Sequence, residues 1–258
     1  MDRTTEIGEF SGLTAAVTGG SSGIGAATAA LLAARGARVA VLDVQAPPDA
    51  DAVAGALFVP CDVTSSDGVA AAFRFIDAEL GGLDILVNNA GIGAQGDVTA
   101  QDGDAWLHLL DVNVVGMARV TSSALPLLRR SRHASIVNTA SVVAVLGVPD
   151  RALYAASKGA VLALTLAMAT DHVGEGIRVN AVAPGTTDTP WVGRLLASAD
   201  DPVAAAEALR RRQPLGRLVA AQEVAHAIAY LASPLSASTT GTVLGVDGGM
   251  ATLRVPPR

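Results

Sequence analysis

From one end to the other, the chain alternates between short runs that are largely apolar and longer stretches rich in Ala and Leu. The runs "LTAAVT" (13–18), "RVAVLD" (38–43), "ALFVPCD" (56–62), "LDILVNNAG" (83–91), "ASIVNTAS" (134–141), "IRVNAVAP" (177–184) and "GTVLGVDGG" (241–249) have the β-rich character of strands. They lack the apolar–polar alternation of a strand with one wet face, so both faces are expected to be covered. That pattern predicts a parallel sheet between two helical layers. Helices are expected over about 23–36, 65–80 with Ser65 or Ser66 at the cap, 104–130 and 150–173, with further helical stretches through Tyr230. The fold class is therefore α/β, a doubly wound parallel sheet of about seven strands with helices on both faces. No repeat or Pro/Gly-rich linker divides residues 1–258, which read as one domain, with a helical flap at about 190–217.

Composition narrows the partners. Hydrophobic residues make up 50% of the chain but aromatics only 3%, so the core is to be built from Ala, Val, Leu and Ile in thin helices. A formal charge of −6 argues against nucleic acid or an anionic membrane as partner, since both need a basic face. The apolar run "AVLALTLAMA" is about half of the roughly 20 residues a membrane span requires, and the polar N-terminus lacks the apolar run of a signal peptide. Cys61 stands alone and the four histidines are scattered, so neither a disulfide nor a metal is expected, and a reducing cytoplasm fits.

The turn "TGGSSGIG" follows a strand and opens a helix, the setting of a dinucleotide fingerprint and of a Rossmann-like fold. Its glycines, Gly19, Gly23 and Gly25, let backbone approach a pyrophosphate, and the helix N-terminus offers unpaired N–H groups. Asp43 ends the second strand, where a carboxylate accepts ribose hydroxyls and repels a 2′-phosphate. Ser22 brings no positive charge, so the cofactor is expected to be NAD rather than NADP.

"YAASK" holds the only lysine in the chain, Lys158, against seventeen arginines. Residues four apart share a helix face, which puts the Lys158 ammonium beside the Tyr154 phenol and is expected to lower the tyrosine pKa. A tyrosine so tuned can exchange a proton with an alcohol or carbonyl. A compact, rotatable ammonium also reaches sugar hydroxyls with a geometry a planar guanidinium does not offer.

Together, "TGGSSGIG", "CDVT" (61–64), "NNAG" (88–91), Asn113, Ser141, "YAASK", "APG" (183–185) and "VDGG" near the end occur in an order that resembles the short-chain dehydrogenase/reductase family over nearly the whole chain. The resemblance implies that Tyr154 is the general acid/base, Lys158 its partner and a ribose ligand, and Ser141 the hydroxyl that fixes the substrate oxygen. Asn113 would hold a helix kink and a relay water. For the cofactor it implies Gly19, Ser22, Gly23, Ile24 and Gly25 at the pyrophosphate, with Asp43, Asp62 and Val63 on the adenosine side. Asn89, Ala90 and Gly91 would lie along the ribose, and Pro184, Gly185, Thr187 and Thr189 at the nicotinamide. The implied activity is NAD-dependent transfer of a hydride between a secondary alcohol or ketone and nicotinamide. Alternatives are an NADP-dependent 3-oxoacyl carrier-protein reductase, which would prefer a basic residue near Ser22 or Val44, and a noncatalytic dinucleotide-binding sensor.

A weaker resemblance, carried by "RQPLGR" (212–217), "PGTTDTPW" (184–191) and Arg151, is to a branch acting on small hydroxy acids and sugar acids, such as 3-hydroxybutyrate and 2-keto-3-deoxy-fuconate dehydrogenases. Asp150 is expected to cap the helix that bears Tyr154, leaving Arg151 in its first turn, where the dipole disfavours positive charge by several tenths of a kcal/mol. Compensation comes either from Asp150 or another surface carboxylate, or from a substrate carboxylate, with Arg194 or Arg212 closing over the same anion. Trp191 opens the flap and is placed to cover the site. The helix continues as "GAVLALTLAMA", apolar on nearly every side, which suggests a subunit contact; the family resemblance implies a homotetramer.

Overall fold

The computed structural model describes residues 8–48, 53, 55–197 and 199–255. In chain order its elements are β1 (Thr14–Thr18), α1 (Gly23–Ala34), β2 (Arg38–Asp43), β3 (Leu57–Pro60), α2 (Ser66–Leu80) and β4 (Ile85–Asn88). Then follow α3 (Gly103–Leu110), α4 (Gly116–Leu128), β5 (Ser135–Thr139), α5 (Ala152–His172), β6 (Arg178–Pro184), β7 (Thr187–Asp188), α6 (Pro190–Ala197), α7 (Pro202–Arg211), β8 (Val219–Ala220), α8 (Ala221–Ala232) and β9 (Val243–Val246). Seven strands form one sheet in the order β3-β2-β1-β4-β5-β6-β9, all parallel. The expected doubly wound sheet is present, and its strand order reverses between β1 and β4, the crevice where such sheets take ligands.

Each face of the sheet is sealed by aliphatic side chains. Val69, Phe73 and Ile76 of α2 pack with Val120 and Leu128 of α4 on one side, and Leu32 of α1 with Ile228 and Leu231 of α8 on the other. Beneath the crevice runs a buried polar chain. Asn88 donates to Thr121 (3.0 Å) and Asn138 (2.9 Å), and Asn138 donates to Thr165 (2.9 Å), stitching β4 and β5 to α4 and α5. Low-dielectric bonds of this kind fix the helices that carry the site relative to the strands.

Two local expectations are corrected. The helix expected over 104–130 is interrupted at Asp111–Val115 by a π-helical turn, whose extra residue turns Asn113 inward, fully buried. Asp150 does not cap α5: it sits at φ 57, Arg151 is the N-cap, and no side chain caps the helix. Ser65 does cap α2, accepting from the Gly68 amide at 3.1 Å. The flap consists of α6 and α7, closed at its base by the two-stranded β7–β8 ladder. Among the described residues α5 is the one helix long and apolar enough to cross a membrane. Here it lies along the sheet with Leu153, Val161, Thr165 and Met168 buried.

Candidate active site

Close approach explains the glycines of the first turn. A Cβ on Gly19, at φ 61, would stand 2.9 Å from the Ala90 Cα, and one on Gly25 only 2.1 Å from the Gly19 carbonyl oxygen. The turn is bonded directly to the end of β4. The Asn89 side chain donates to the Thr18 and Gly19 carbonyls (both 3.2 Å), and the Asn89 and Ala90 amides donate to the Thr18 hydroxyl (3.0 and 3.1 Å). Asn89 thus serves to shape the cradle. Ser22 leads into α1 without a side-chain cap bond, so the first-turn N–H groups face the turn open, as an anion site requires.

Asp43 accepts from the Ser21 amide (3.1 Å) and more weakly from Gln45 (3.3 Å). A carboxylate has about four acceptor sites, so capacity remains for ribose hydroxyls. Ser22 and Val44 beside it are exposed and uncharged. Asp62 is held below the usual carboxylate range by the backbone and side chain of Thr64, and stands exposed at the end of β3. The Val63 side chain turns away into the core against Gly116, so any cofactor contact there falls to its backbone. Glycine cradle, open helix end and strand-end carboxylate together fit a dinucleotide.

The reacting end is built by β5, α5 and the π turn. Ser141, buried after β5, accepts from the Val143 amide at 3.4 Å and lines the same cavity as Tyr154, whose phenol it helps to ionise. Lys158 is 4% exposed; its Nζ donates to the Thr139 carbonyl at 2.8 Å and lies 5.7 Å from the centre of the Tyr154 ring. The Asn113 side chain donates to the Ile92 carbonyl (2.9 Å) and to Ser157 (3.1 Å) and accepts from the Ile92 amide (2.8 Å). It therefore locks the loop after β4 against α5.

Ionisation departs from the sequence expectation. Burial pushes the Tyr154 phenol above the ordinary tyrosine value, partly offset by the Ser141 hydrogen bond and the charge of Arg151. Burial also pulls Lys158 down to about 8, so the ammonium is itself under strain in this setting.

Beside the phenol opens a cavity of about 160 Å³. Ile24, Ser141, Tyr154, Pro184, Gly185, Thr187, Thr189 and Trp191 all line it, as do Arg151 and Arg212. Neither guanidinium has a carboxylate partner among the described residues. Arg151 reaches only the Asp150 and Ala94 carbonyls (3.2 and 3.5 Å), whereas Arg210 and Arg211 both pair with Glu207. Among the described residues no Asp or Glu lines the cavity. Arg194 does not join the pair: it lies exposed one turn beyond Trp191, in a neighbouring cleft with Gly93, Ala94 and Gln95. Trp191 is the wall between the two spaces and lies so close on Gly93 that a Cβ there would be 2.5 Å from the indole.

Sequence reasoning missed the apolar walls, Val142, Val143, Val148, Leu209 and Met250. They come from four separate segments, and only the fold brings them together.

A family model described as Enoyl-(Acyl carrier protein) reductase matches residues 19–251. The chain is 42% identical to cis-4-hydroxycyclohexanecarboxylate dehydrogenase of Sinomonas cyclohexanicum over 93% of this chain and 97% of that one. It is 37% identical to the 3-oxoacyl-[acyl-carrier-protein] reductase FabG of Thermotoga maritima over 91% and 96%. Its fold matches the ligand-free aldohexose dehydrogenase of Thermoplasma acidophilum with a TM-score of 0.88 at 35% identity, covering 97% of this chain and 99% of that one. Fold and relatives are those of oxidoreductases that act on CH–OH groups with a nicotinamide dinucleotide. The chain belongs to the short-chain dehydrogenase/reductase family.

Proposed function

We propose that the protein is an NAD-dependent dehydrogenase for the secondary alcohol of a small hydroxy acid. The observation that carries this reading is the pair Arg151 and Arg212, two guanidiniums without carboxylate partners in the cavity that holds Tyr154 and Ser141. Arg151 is half-buried and Arg212 exposed at the rim, and a carboxylate binds such guanidinium forks in bidentate fashion. Val142, Val143, Val148, Leu209 and Met250 in the lining support an apolar body for the substrate, and among the described residues no Asn, Gln, Asp or Glu lines the cavity. The relative named for a hydroxycyclohexanecarboxylate supports the same class.

In this reading Ser141 orients the substrate oxygen, and Tyr154 takes the hydroxyl proton on oxidation and returns it on reduction. Gly19, Gly23 and Gly25 would admit the pyrophosphate of NAD, Asp43 and Lys158 would take ribose hydroxyls, and Thr187 and Thr189 would face the carboxamide. When bound, the nicotinamide supplies the hydride acceptor; the protein supplies orientation and the proton. We read the enzyme as cytoplasmic.

Arg151→Ala and Arg212→Ala are each expected to raise KM for 4-hydroxycyclohexanecarboxylate by roughly 10- to 100-fold, the loss of a charged hydrogen bond. KM for the methyl ester should change little, and steady-state rates on the two substrates decide it. An equal effect on acid and ester would leave both arginines as ordinary surface residues.

NAD is expected to exceed NADP in kcat/KM by at least about 100-fold, because Asp43 would otherwise face a 2′-phosphate. Asp43→Ala should narrow that ratio by roughly tenfold or more. A reductase of the carrier-protein type would show the opposite preference.

Assembly follows from surface left uncovered. Leu166 on α5 is 50% exposed, Val115 in the π turn 48%, and Ala156, Ala163, Ala167 and Ala118 are exposed beside them. Light scattering at micromolar concentration should give the mass of a homotetramer; a monomeric mass would refute it.

A further inference from the structure

Arg151, the N-cap of α5, stands three residues before Tyr154 and lines the same cavity, and Lys158 four residues after it has its Nζ 5.7 Å from the ring centre, so two cations bracket one phenol. Their situations differ. Lys158 is buried, spends one N–H on the Thr139 carbonyl, and is pulled down to about 8 by desolvation. As pH rises past that value, its charge fades over the range in which a tyrosine begins to give up its proton. Arg151 is half-buried, is held only through the Ala94 and Asp150 carbonyls, and opens on the same cavity as the phenol. A guanidinium keeps its charge throughout that range.

We propose that Arg151 is a positioning residue for proton transfer, a permanent positive charge that lowers the proton affinity of Tyr154 in addition to any role in holding substrate. The charged and titratable groups around the phenol are few. They are Arg151 and Lys158 from α5, Ser141 from the segment after β5 and Arg212 from the end of α7; the exposed Asp150 carboxylate acts on Arg151 from outside the cavity, which no Asp or Glu lines among the described residues. Arg151, with the Ser141 hydrogen bond, is what offsets the burial of the phenol. The second guanidinium then has a use: a bound monocarboxylate cancels one of the two charges and leaves the other beside Tyr154.

The inference rests on Tyr154 as the proton-transferring group, but its test needs no substrate. The chain has two tyrosines, and the other, Tyr230, is replaced by phenylalanine so that the ultraviolet difference signal of tyrosinate reads Tyr154 alone. In that background Arg151→Gln keeps donors for the Ala94 and Asp150 carbonyls but removes the charge. It should raise the ionisation midpoint of Tyr154 by about one unit, a tenfold change in proton affinity, while Arg151→Lys holds it near wild type. The alkaline-rising limb of kcat/KM for the neutral alcohol cyclohexanol should move upward by the same amount in Arg151→Gln. A purely structural role would shift melting temperature without moving either titration. If the midpoint and the limb both stay at their wild-type positions in Arg151→Gln, the proposal is wrong, even if the enzyme proves to be a hydroxy-acid dehydrogenase.

Discussion

Tyr154→Phe is expected to lower turnover by roughly 10²- to 10⁴-fold, the usual worth of a positioned general acid/base, while NADH binding followed by fluorescence stays within a few-fold of wild type. The separation follows from what the substitution removes. The ring remains to fill the wall of the cavity, Arg151 and Lys158 keep their backbone positions on α5, and Ser141 keeps its contact with the Val143 amide at 3.4 Å. Only the hydroxyl that we propose meets the substrate oxygen is lost. Melting should be nearly unchanged, since the ring that fills the cavity wall remains. Turnover within tenfold of wild type would mean that water or another side chain carries the proton.

What could be read before any coordinates were seen is what depends on neighbours in the chain. Continuous apolar runs located the sheet strands to within a few residues, because burial on both faces leaves no place for a regularly alternating polar face. The glycine turn and the Tyr154–Lys158 pair were legible for the same reason: a cradle and an i,i+4 contact are local geometry. The π turn did not show in the apolar pattern, which one extra residue leaves almost intact; it was legible only through the family resemblance, which implied a helix kink at Asn113. Nor could the sequence separate Arg194 from Arg212. Both lie in the flap, and the path of α6 and α7 sends one to an outer cleft and the other to the cavity. The direction of the Tyr154 shift was misread because pairing with a cation is visible in the spacing, whereas desolvation is a property of the folded interior.

Lys158 combines the second large loss of activity with a gain in stability. Its ammonium is buried with one protein acceptor, the Thr139 carbonyl, and no ion-pair partner among the described residues. A Cβ on Gly91 would lie 3.6 Å from Nζ, so that glycine leaves the ammonium open toward the cleft and ribose hydroxyls. Arginine in that space would need a longer stem and a planar head where a point charge now sits, so Lys158→Arg and Lys158→Met are both expected to lose roughly 100-fold or more in kcat/KM. Stability should move the other way. The folded value of about 8 lies below the ordinary 10.5, so the unfolded chain holds this proton more tightly. Below pH 8 the buried charge costs about 3 kcal/mol, and the cost falls away as pH rises from 8 to 10.5. Lys158→Met removes that cost and forfeits about 1 kcal/mol or more for the bond to Thr139. At pH 7 it should therefore melt a few degrees above wild type, with the gap closing by about pH 10. Thermal unfolding by circular dichroism at the two pH values gives the comparison. A variant less stable than wild type by the same margin at both would show that Lys158 is held by packing and not placed there against a desolvation cost.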